Sequence, residues 1–106
     1  MAYEVNFELI VCIVNSGFSD SVMDVAREAG AKGGTILNGH GTANQLSEQL
    51  FQLSFEPEKE IILIIVPKKI KDDVMLAINK TFNLSTESKG ITFSVPVTHA
   101  IGIKDE

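Results

Sequence analysis

Two segments of the chain are apolar along almost their whole length. Residues 7–14 read FELIVCIV and residues 60–66 read EIILIIV, and both are rich in β-branched side chains. A strand with one face in water would alternate between apolar and polar residues, whereas these segments have no polar face. They therefore predict two strands that are covered on both sides, and the rest of the chain must supply that cover.

The first helix is expected directly after the first apolar strand. Ser19 is placed to cap it, Asp20 falls in its first turn, and Phe18 is positioned to contact Met23. Gly30 is the expected terminator. The apolar positions recur at helical spacing and predict one buried face, formed by Val22, Val25, Ala26 and Ala29.

The remaining elements follow a regular order. A short strand is expected over 33–37, an irregular segment over 39–58, a helix over about 68–82 and an alternating strand over 91–98. Pro96 places the last strand at an edge or a bulge. The second helix has a stripe of apolar residues for burial, namely Ile70, Val74, Ala77, Ile78 and Phe82.

The order of elements is βαββαβ, which predicts an α+β fold of the ferredoxin-like kind. In this sandwich a four-stranded antiparallel sheet carries two helices on one face, and the first and third strands are central. Those are the two strands that lack a polar face. Because two helices cover only one side of the sheet, its apolar second side predicts a homo-oligomer.

Composition narrows the class of protein further. With 106 residues, the chain is expected to form a single domain over 1–106. A net charge of -5 argues against nucleic acid as a partner, because phosphate binding requires clustered Lys and Arg. The longest apolar run is too short for membrane insertion, and no basic leader precedes it, so a cytoplasmic location is expected.

Catalytic and metal-binding patterns are weak. His40, His99 and Cys12 are the obvious metal ligands, but no two of them have a ligand-like spacing, so no metal site is predicted. There is no Gly-x-Ser-x-Gly motif, and the carboxylates show no convergent pair. Cys12 lies within an apolar strand, where a small buried hydrophobe is the natural interpretation. The sequence therefore indicates a protein that is not an enzyme.

Glycines mark both ends of the short second strand and the start of the last one. The motifs are Gly33-Gly34, Gly39-x-Gly41 and Ser88-Lys89-Gly90. Without a Cβ, backbone N–H groups can approach a phosphate or carboxylate, and Lys89 could add charge. Tight turns and a β-bulge require the same residues. Both interpretations stay open at this point.

Taken together, these segments resemble the PII nitrogen-regulatory signalling proteins, in particular a shorter, divergent branch. The resemblance runs from about Phe7 to Lys104. Its markers are LIVCIVNSGFSDSVMDVAREAGAKGGTIL, the loop base NGHGTAN, EPEKEIILIIVP with the helix KDDVMLAI, and SKGITFSVPV. Their order and spacing match the family along nearly the whole chain.

The resemblance implies a ferredoxin-like homotrimer with a T-loop over 39–56. It also implies an adenine nucleotide (ATP, ADP or AMP) bound in the clefts between subunits. The T-loop would report the bound state to a protein target such as a transporter, an enzyme or a regulator. The ligand-binding residues that carry over are the loop base Gly39, His40, Gly41 and Thr42, the B-loop residues Ser88, Lys89 and Gly90, and Lys104.

The chain departs from the family where phosphate is held. Thr42 and Ala43 replace an arginine and a glutamine, and Gly102 and Lys104 replace an Arg-x-Arg pair. Each missing charge-assisted hydrogen bond forgoes on the order of 1.5–3 kcal/mol. A smaller anion, such as bicarbonate or a carboxylate, therefore remains an alternative ligand. The only tyrosine is Tyr3, so uridylylation of the T-loop is not expected.

Two other functions remain open. A CutA-like metal-binding trimer would bring His40, His99 or Cys12 together at a subunit boundary. A ligand-free trimeric scaffold would bind its partner through the apolar residues of the loop, which are Leu46, Leu50, Phe51 and Phe55.

Overall fold

The chain folds in the βαββαβ order that its sequence predicts. The computed structural model describes residues 4–42 and 58–103. Within them lie four strands and two helices: β1 (Glu4–Asn15), α1 (Ser19–Glu28), β2 (Thr35–His40), β3 (Glu58–Pro67), α2 (Lys68–Thr81) and β4 (Ile91–His99). The ferredoxin-like α+β prediction is confirmed.

The strands form one antiparallel sheet in the order β2-β3-β1-β4. The two apolar strands β1 and β3 are its centre, as predicted. Cys12 in the middle of β1 lies opposite Ile62 of β3 on one side and Thr92 of β4 on the other. Side chains alternate between the two faces along each strand, so this register determines which apolar residues meet the helices.

The core lies between the sheet and the helices. Every second residue of the central strands is fully buried, namely Ile10, Cys12 and Val14 of β1 and Ile62, Ile64 and Val66 of β3. The helices contribute Val22, Met23, Ala26, Val74 and Ile78. Burial of each large aliphatic side chain contributes about 1.5–3 kcal/mol, so this interlayer contact is the main source of stability.

The other face of the sheet is apolar but lacks a covering element among the described residues. On β1 and β3 it is formed by the alternate residues Leu9, Val11, Ile13, Ile61, Leu63 and Ile65. Leu37, Ile65, Phe93 and Val95 are each exposed by more than 40%. An apolar surface of this extent is typical of a protein–protein contact.

The start of α1 differs from the prediction. The N-cap position is held by Phe18, whose side chain makes no capping hydrogen bond, and Ser19 is buried in the first turn of the helix. The ring of Phe18 lies edge-on to that of Phe82, with 6.4 Å between centroids. Gly30 ends the helix as predicted, since its φ of 118° is the left-handed conformation that favours glycine.

The second strand runs over Thr35–His40 rather than over the predicted 33–37, so it begins two residues later and ends three residues later. Gly39 and His40 do not belong to the loop, because they pair with Lys59 and Glu58 on β3. Glycine is a weak strand former, but here pairing with a central strand outweighs local preference. Residues 43–56 of the predicted T-loop lie outside the described residues.

Candidate functional site

The topology brings the loop base and the predicted B-loop to one end of the sheet. β2 ends at His40 and β3 begins at Glu58, so both ends of the loop meet there. β1 also ends here, at Asn15, and the turn before β4 closes over it. Two segments that are far apart in the sequence thus lie at the same end of the sheet, on either side of the ends of β3 and β1.

The loop base packs closely on β3. A Cβ added at Gly41 would lie 2.9 Å from Cε of Lys59, and one at Gly39 would lie 2.9 Å from Cδ1 of Ile61. Across the strand pair, Nδ1 of His40 is 3.5 Å from Oε1 of Glu58, and both side chains are about two-thirds exposed. An exposed pair of this kind contributes little stability.

Lys59 links the loop base to the end of β1. Its Nζ donates a hydrogen bond to Oδ1 of Asn15 over 2.6 Å. Asn15 in turn donates from Nδ2 to the Glu87 carbonyl oxygen at 3.1 Å, and from its backbone N to the Ser88 carbonyl oxygen at 2.9 Å. The path from the loop base to the B-loop therefore consists of two side chains.

The turn over 83–90 is held by its own hydroxyl groups. Oγ1 of Thr86 accepts from the backbone N of Asn83 at 3.2 Å and donates to the Asn83 carbonyl at 2.9 Å. It also lies 2.9 Å from Oγ of Ser88, whose side chain is almost fully buried. Gly90 donates from its backbone N to the same Asn83 carbonyl. The turn is therefore stabilised by hydrogen bonds among its own residues.

The carboxylate of Glu60 lies at this end of the sheet and receives hydrogen bonds from the start of α1. Oε1 of Glu60 accepts hydrogen bonds from the backbone N of Gly17 at 3.0 Å and of Ser19 at 3.1 Å. Desolvation raises the pKa of the Glu60 carboxyl, but hydrogen bonds from the N–H groups of Gly17, Phe18 and Ser19 and from the Ser19 hydroxyl outweigh it and hold the pKa below its ordinary value. Glu60 thus caps α1 in place of Ser19, and its charge is engaged by the fold.

The three candidate metal ligands do not converge within one chain. His40 lies at the loop end of the sheet, whereas His99 pairs with Glu4 at the opposite end. Cys12 is buried between them; desolvation raises the pKa of its thiol, which a hydrogen bond from Thr92 only partly offsets. In the part of the chain that the structure describes, no group of three His, Cys, Asp or Glu residues could hold a metal ion.

The sequence was compared with models of known protein families, and one family matches. The family model described as nitrogen regulatory protein P-II matches residues 7–106. The chain belongs to the P-II family. The resemblance inferred from the sequence is thereby confirmed. Comparison with curated protein sequences gave no significant match.

Solved structures share the fold of this P-II family chain. A PII-like signalling protein from Thermus thermophilus has a TM-score of 0.69 and 16% identity, covering 92% of this chain and 91% of that one. CPII from Thiomonas intermedia, bound to ADP, AMP and bicarbonate, has a TM-score of 0.65 and 16% identity, covering 92% and 96%. Arabidopsis thaliana PII bound to citrate has a TM-score of 0.67 and 19% identity, covering 90% and 78%.

The predicted site residues of this P-II chain differ in their exposure to solvent. The loop base lies at the end of the edge strand β2, and its residues are exposed or half-buried, namely Gly39, His40, Gly41 and Thr42. In the B-loop, Ser88 and Gly90 are buried, whereas Lys89 is only half-buried. Lys104 lies outside the described residues.

Gly90 has a structural reason to be glycine. A Cβ there would collide with the carbonyl group of Phe82 at the end of α2. Lys89 adopts the left-handed conformation with φ of 49°, which is uncommon for a residue with a side chain. This strained turn determines the position of the Lys89 backbone relative to the end of β1.

Sequence reasoning missed Asn15 and Lys59. Both could have been found from the strand register, because antiparallel pairing of the two apolar strands places Asn15 opposite Lys59. Neither residue belongs to a glycine motif, which is why a search for cradle-like loops passed over them.

Among the described residues no helix is long and apolar enough to cross a membrane.

Proposed function

We propose that this chain is a P-II-type regulatory protein that binds a small anionic ligand between the subunits of a homotrimer. Adenine nucleotide is the leading ligand. The loop that connects β2 to β3 passes the bound state to a protein target, and the protein works in the cytoplasm as a regulator rather than as an enzyme. The proposal rests on one observation: the loop base and the B-loop turn lie at the same end of the sheet and are linked through Lys59 and Asn15.

The chemistry of this end of the sheet suits an anion with hydrogen-bonding edges. Lys59 and Lys89 supply cationic groups, and the exposed loop base offers backbone groups with little side-chain obstruction. Among proteins of the same fold, CPII binds ADP, AMP and bicarbonate, and Arabidopsis PII binds citrate. Thr42 offers only a hydroxyl where the family resemblance implies an arginine. We therefore keep bicarbonate and small carboxylates as the alternative to nucleotide.

The uncovered sheet face supports assembly. Its apolar residues lie on all four strands and include Leu37, Ile65, Phe93 and Val95. A homotrimer that turns these faces inward would remove them from water at about 25 cal/mol per Å² of apolar area. Such an assembly would also place a neighbouring subunit beside each loop base and complete the cleft.

Ligand binding can be tested on the purified protein by thermal shift. ADP, ATP, AMP, bicarbonate and citrate are titrated separately, and the mass of the assembly is measured by light scattering. We expect a trimer that at least one of these ligands stabilises, and we expect Lys89→Met to weaken that effect. Lys80→Met makes the same change on the exposed end of α2 and should leave the effect unchanged. A monomer, or an absence of stabilisation by every ligand, contradicts the proposal.

A ligand-free scaffold is the second candidate, and the glycines favour it. Close packing against Ile61, Lys59 and the Phe82 carbonyl accounts for Gly39, Gly41 and Gly90 without any ligand. This function predicts a protein that captures its partner equally well with and without nucleotide. A pull-down from lysate at zero and saturating ADP separates it from a ligand sensor, for which the captured amount must differ.

A CutA-like metal-binding trimer would require its ligands to come from different subunits. Copper and zinc titrations of His40→Ala against the unmodified protein address this function. Unchanged binding of both metals removes it.

A further inference from the structure

Asn15 uses three of its hydrogen-bonding groups to connect other segments. Its backbone N–H and its side-chain N–H both donate to the B-loop turn, at the carbonyls of Ser88 and Glu87. Its side-chain oxygen accepts from the ammonium group of Lys59. No alternative orientation of the amide serves both partners, because a carbonyl can only accept and an ammonium can only donate.

A neutral amide is well suited to this position. It fixes an ammonium group in space without cancelling its charge, as an aspartate would. An aspartate would also lose the donor that reaches the Glu87 carbonyl. Asn15 can therefore hold Lys59 and the turn at the same time, because its amide presents an acceptor to one and a donor to the other.

We propose that Asn15 is a positioning residue that couples Lys59, beside the loop base, to the B-loop turn over 87–90. When the Lys59 ammonium group moves, its hydrogen bond pulls on Oδ1 of Asn15. The planar amide of Asn15 is rigid, so Nδ2 moves with Oδ1 and shifts the Glu87 carbonyl. Lys59 and the B-loop turn then move together. As a route for signalling by a bound anion, this coupling rests on the proposed function, but the coupling itself exists without a ligand.

A mutant cycle read by NMR tests the coupling without any ligand. Lys59→Met is made in the wild-type background and in Asn15→Ala, and the backbone amide shifts of residues 87–90 are compared. The bond from the Asn15 backbone N to Ser88 remains in Asn15→Ala, so the turn retains one anchor. We expect the shift changes caused by Lys59→Met to fall at least twofold when Asn15 is alanine. Equal changes in both backgrounds overturn the inference.

Thr86→Val serves as a matched control. It disturbs the same turn by removing the hydroxyl that contacts Asn83 and Ser88, but it leaves Asn15 and Lys59 in place. In this background Lys59→Met should still shift the amides of 87–90. If Thr86→Val abolishes the response as completely as Asn15→Ala does, the effect reflects general loosening of the turn and the inference is wrong.

Ligand titration keeps the two proposals apart. Binding of ADP, bicarbonate or citrate to the wild-type protein, measured by calorimetry, decides the proposed function, whereas the mutant cycle alone decides the role of Asn15. Given binding, Asn15→Ala should weaken it about fivefold, the equivalent of one lost hydrogen bond.

Discussion

Removal of the Glu60 carboxylate should destabilise the protein in a way that depends on pH. Glu60 lies near the start of β3, yet it accepts hydrogen bonds from the backbone N–H groups of Gly17 and Ser19 at the start of α1. The N-cap residue, Phe18, has no side-chain group that could replace it. Glu60→Ala leaves both N–H groups to solvent or unpaired.

The cost can be estimated from the two bonds. Loss of a helix cap typically costs about 1 kcal/mol, within a range of roughly 0.5–2. The bond to Gly17 is exposed and that to Ser19 is partly buried, so the charge assistance acts mainly on the second. We expect Glu60→Ala to lose about 1.5 kcal/mol and Glu60→Gln, which retains an acceptor oxygen, about half of that. In urea the loss corresponds to a midpoint lower by roughly 0.5–1.5 M.

The sign of the pH dependence follows from the lowered pKa. Because the folded protein holds the Glu60 pKa below the ordinary value of 4.5, the cap contributes fully above that pH. Its contribution is lost as the pH falls through the folded-state pKa. Urea unfolding at fixed protein concentration, followed by circular dichroism at pH 7 and at about pH 3.5, should therefore show a smaller gap between wild type and Glu60→Gln at the lower pH.

Glu58→Gln is the matched control for this experiment. Glu58 lies two residues earlier on the same strand and is exposed, and its carboxylate faces the exposed His40. Its substitution should change the free energy of unfolding by less than about 0.5 kcal/mol. If Glu60→Ala is no more destabilising than Glu58→Gln, or if the gap stays constant with pH, the capping role is refuted.

Three further predictions concern the turn and the core. Gly90→Ala should cost about 1–3 kcal/mol in urea unfolding, because its methyl group meets the Phe82 carbonyl; an unaffected midpoint would refute the close packing. Lys89→Gly should leave the stability unchanged or raise it by up to about 1 kcal/mol, since it relieves the left-handed backbone; a clear loss in the same assay would contradict this. The Cys12 thiol should react with a disulfide reagent at least tenfold faster in denaturant than in the native protein, because it is buried and its pKa is raised; equal rates would show an accessible thiol.

The central sheet could be predicted because its signal is local. Strands β1 and β3 have no polar face, and this property alone places them in the middle of the sheet. The second helix was likewise predicted to within one residue at its end, since Val74 and Ile78 repeat at helical spacing. Hydrophobic pattern and element order were sufficient for the fold class.

The features that sequence reasoning missed depend on contacts between distant segments. Glu60 caps a helix that begins 41 residues earlier, and Lys59 reaches Asn15 across 44 residues. Serine is a good capping residue, so the local sequence predicts Ser19 as the cap. In the folded chain the carboxylate of Glu60 accepts these hydrogen bonds instead. Local sequence likewise predicts a loop at Gly39 and His40, because glycine is a weak strand former, whereas pairing with β3 makes both residues part of a strand.

Binding of a small anion at the end of the sheet that carries the loop base and the B-loop turn can be mapped by hydrogen–deuterium exchange. The assembled protein is compared with and without saturating ADP or bicarbonate. We expect slower exchange in peptides that cover 39–42 and 87–90, and unchanged exchange at the opposite end of the sheet around His99. Protection confined to other segments, or absent with both ligands, would contradict it.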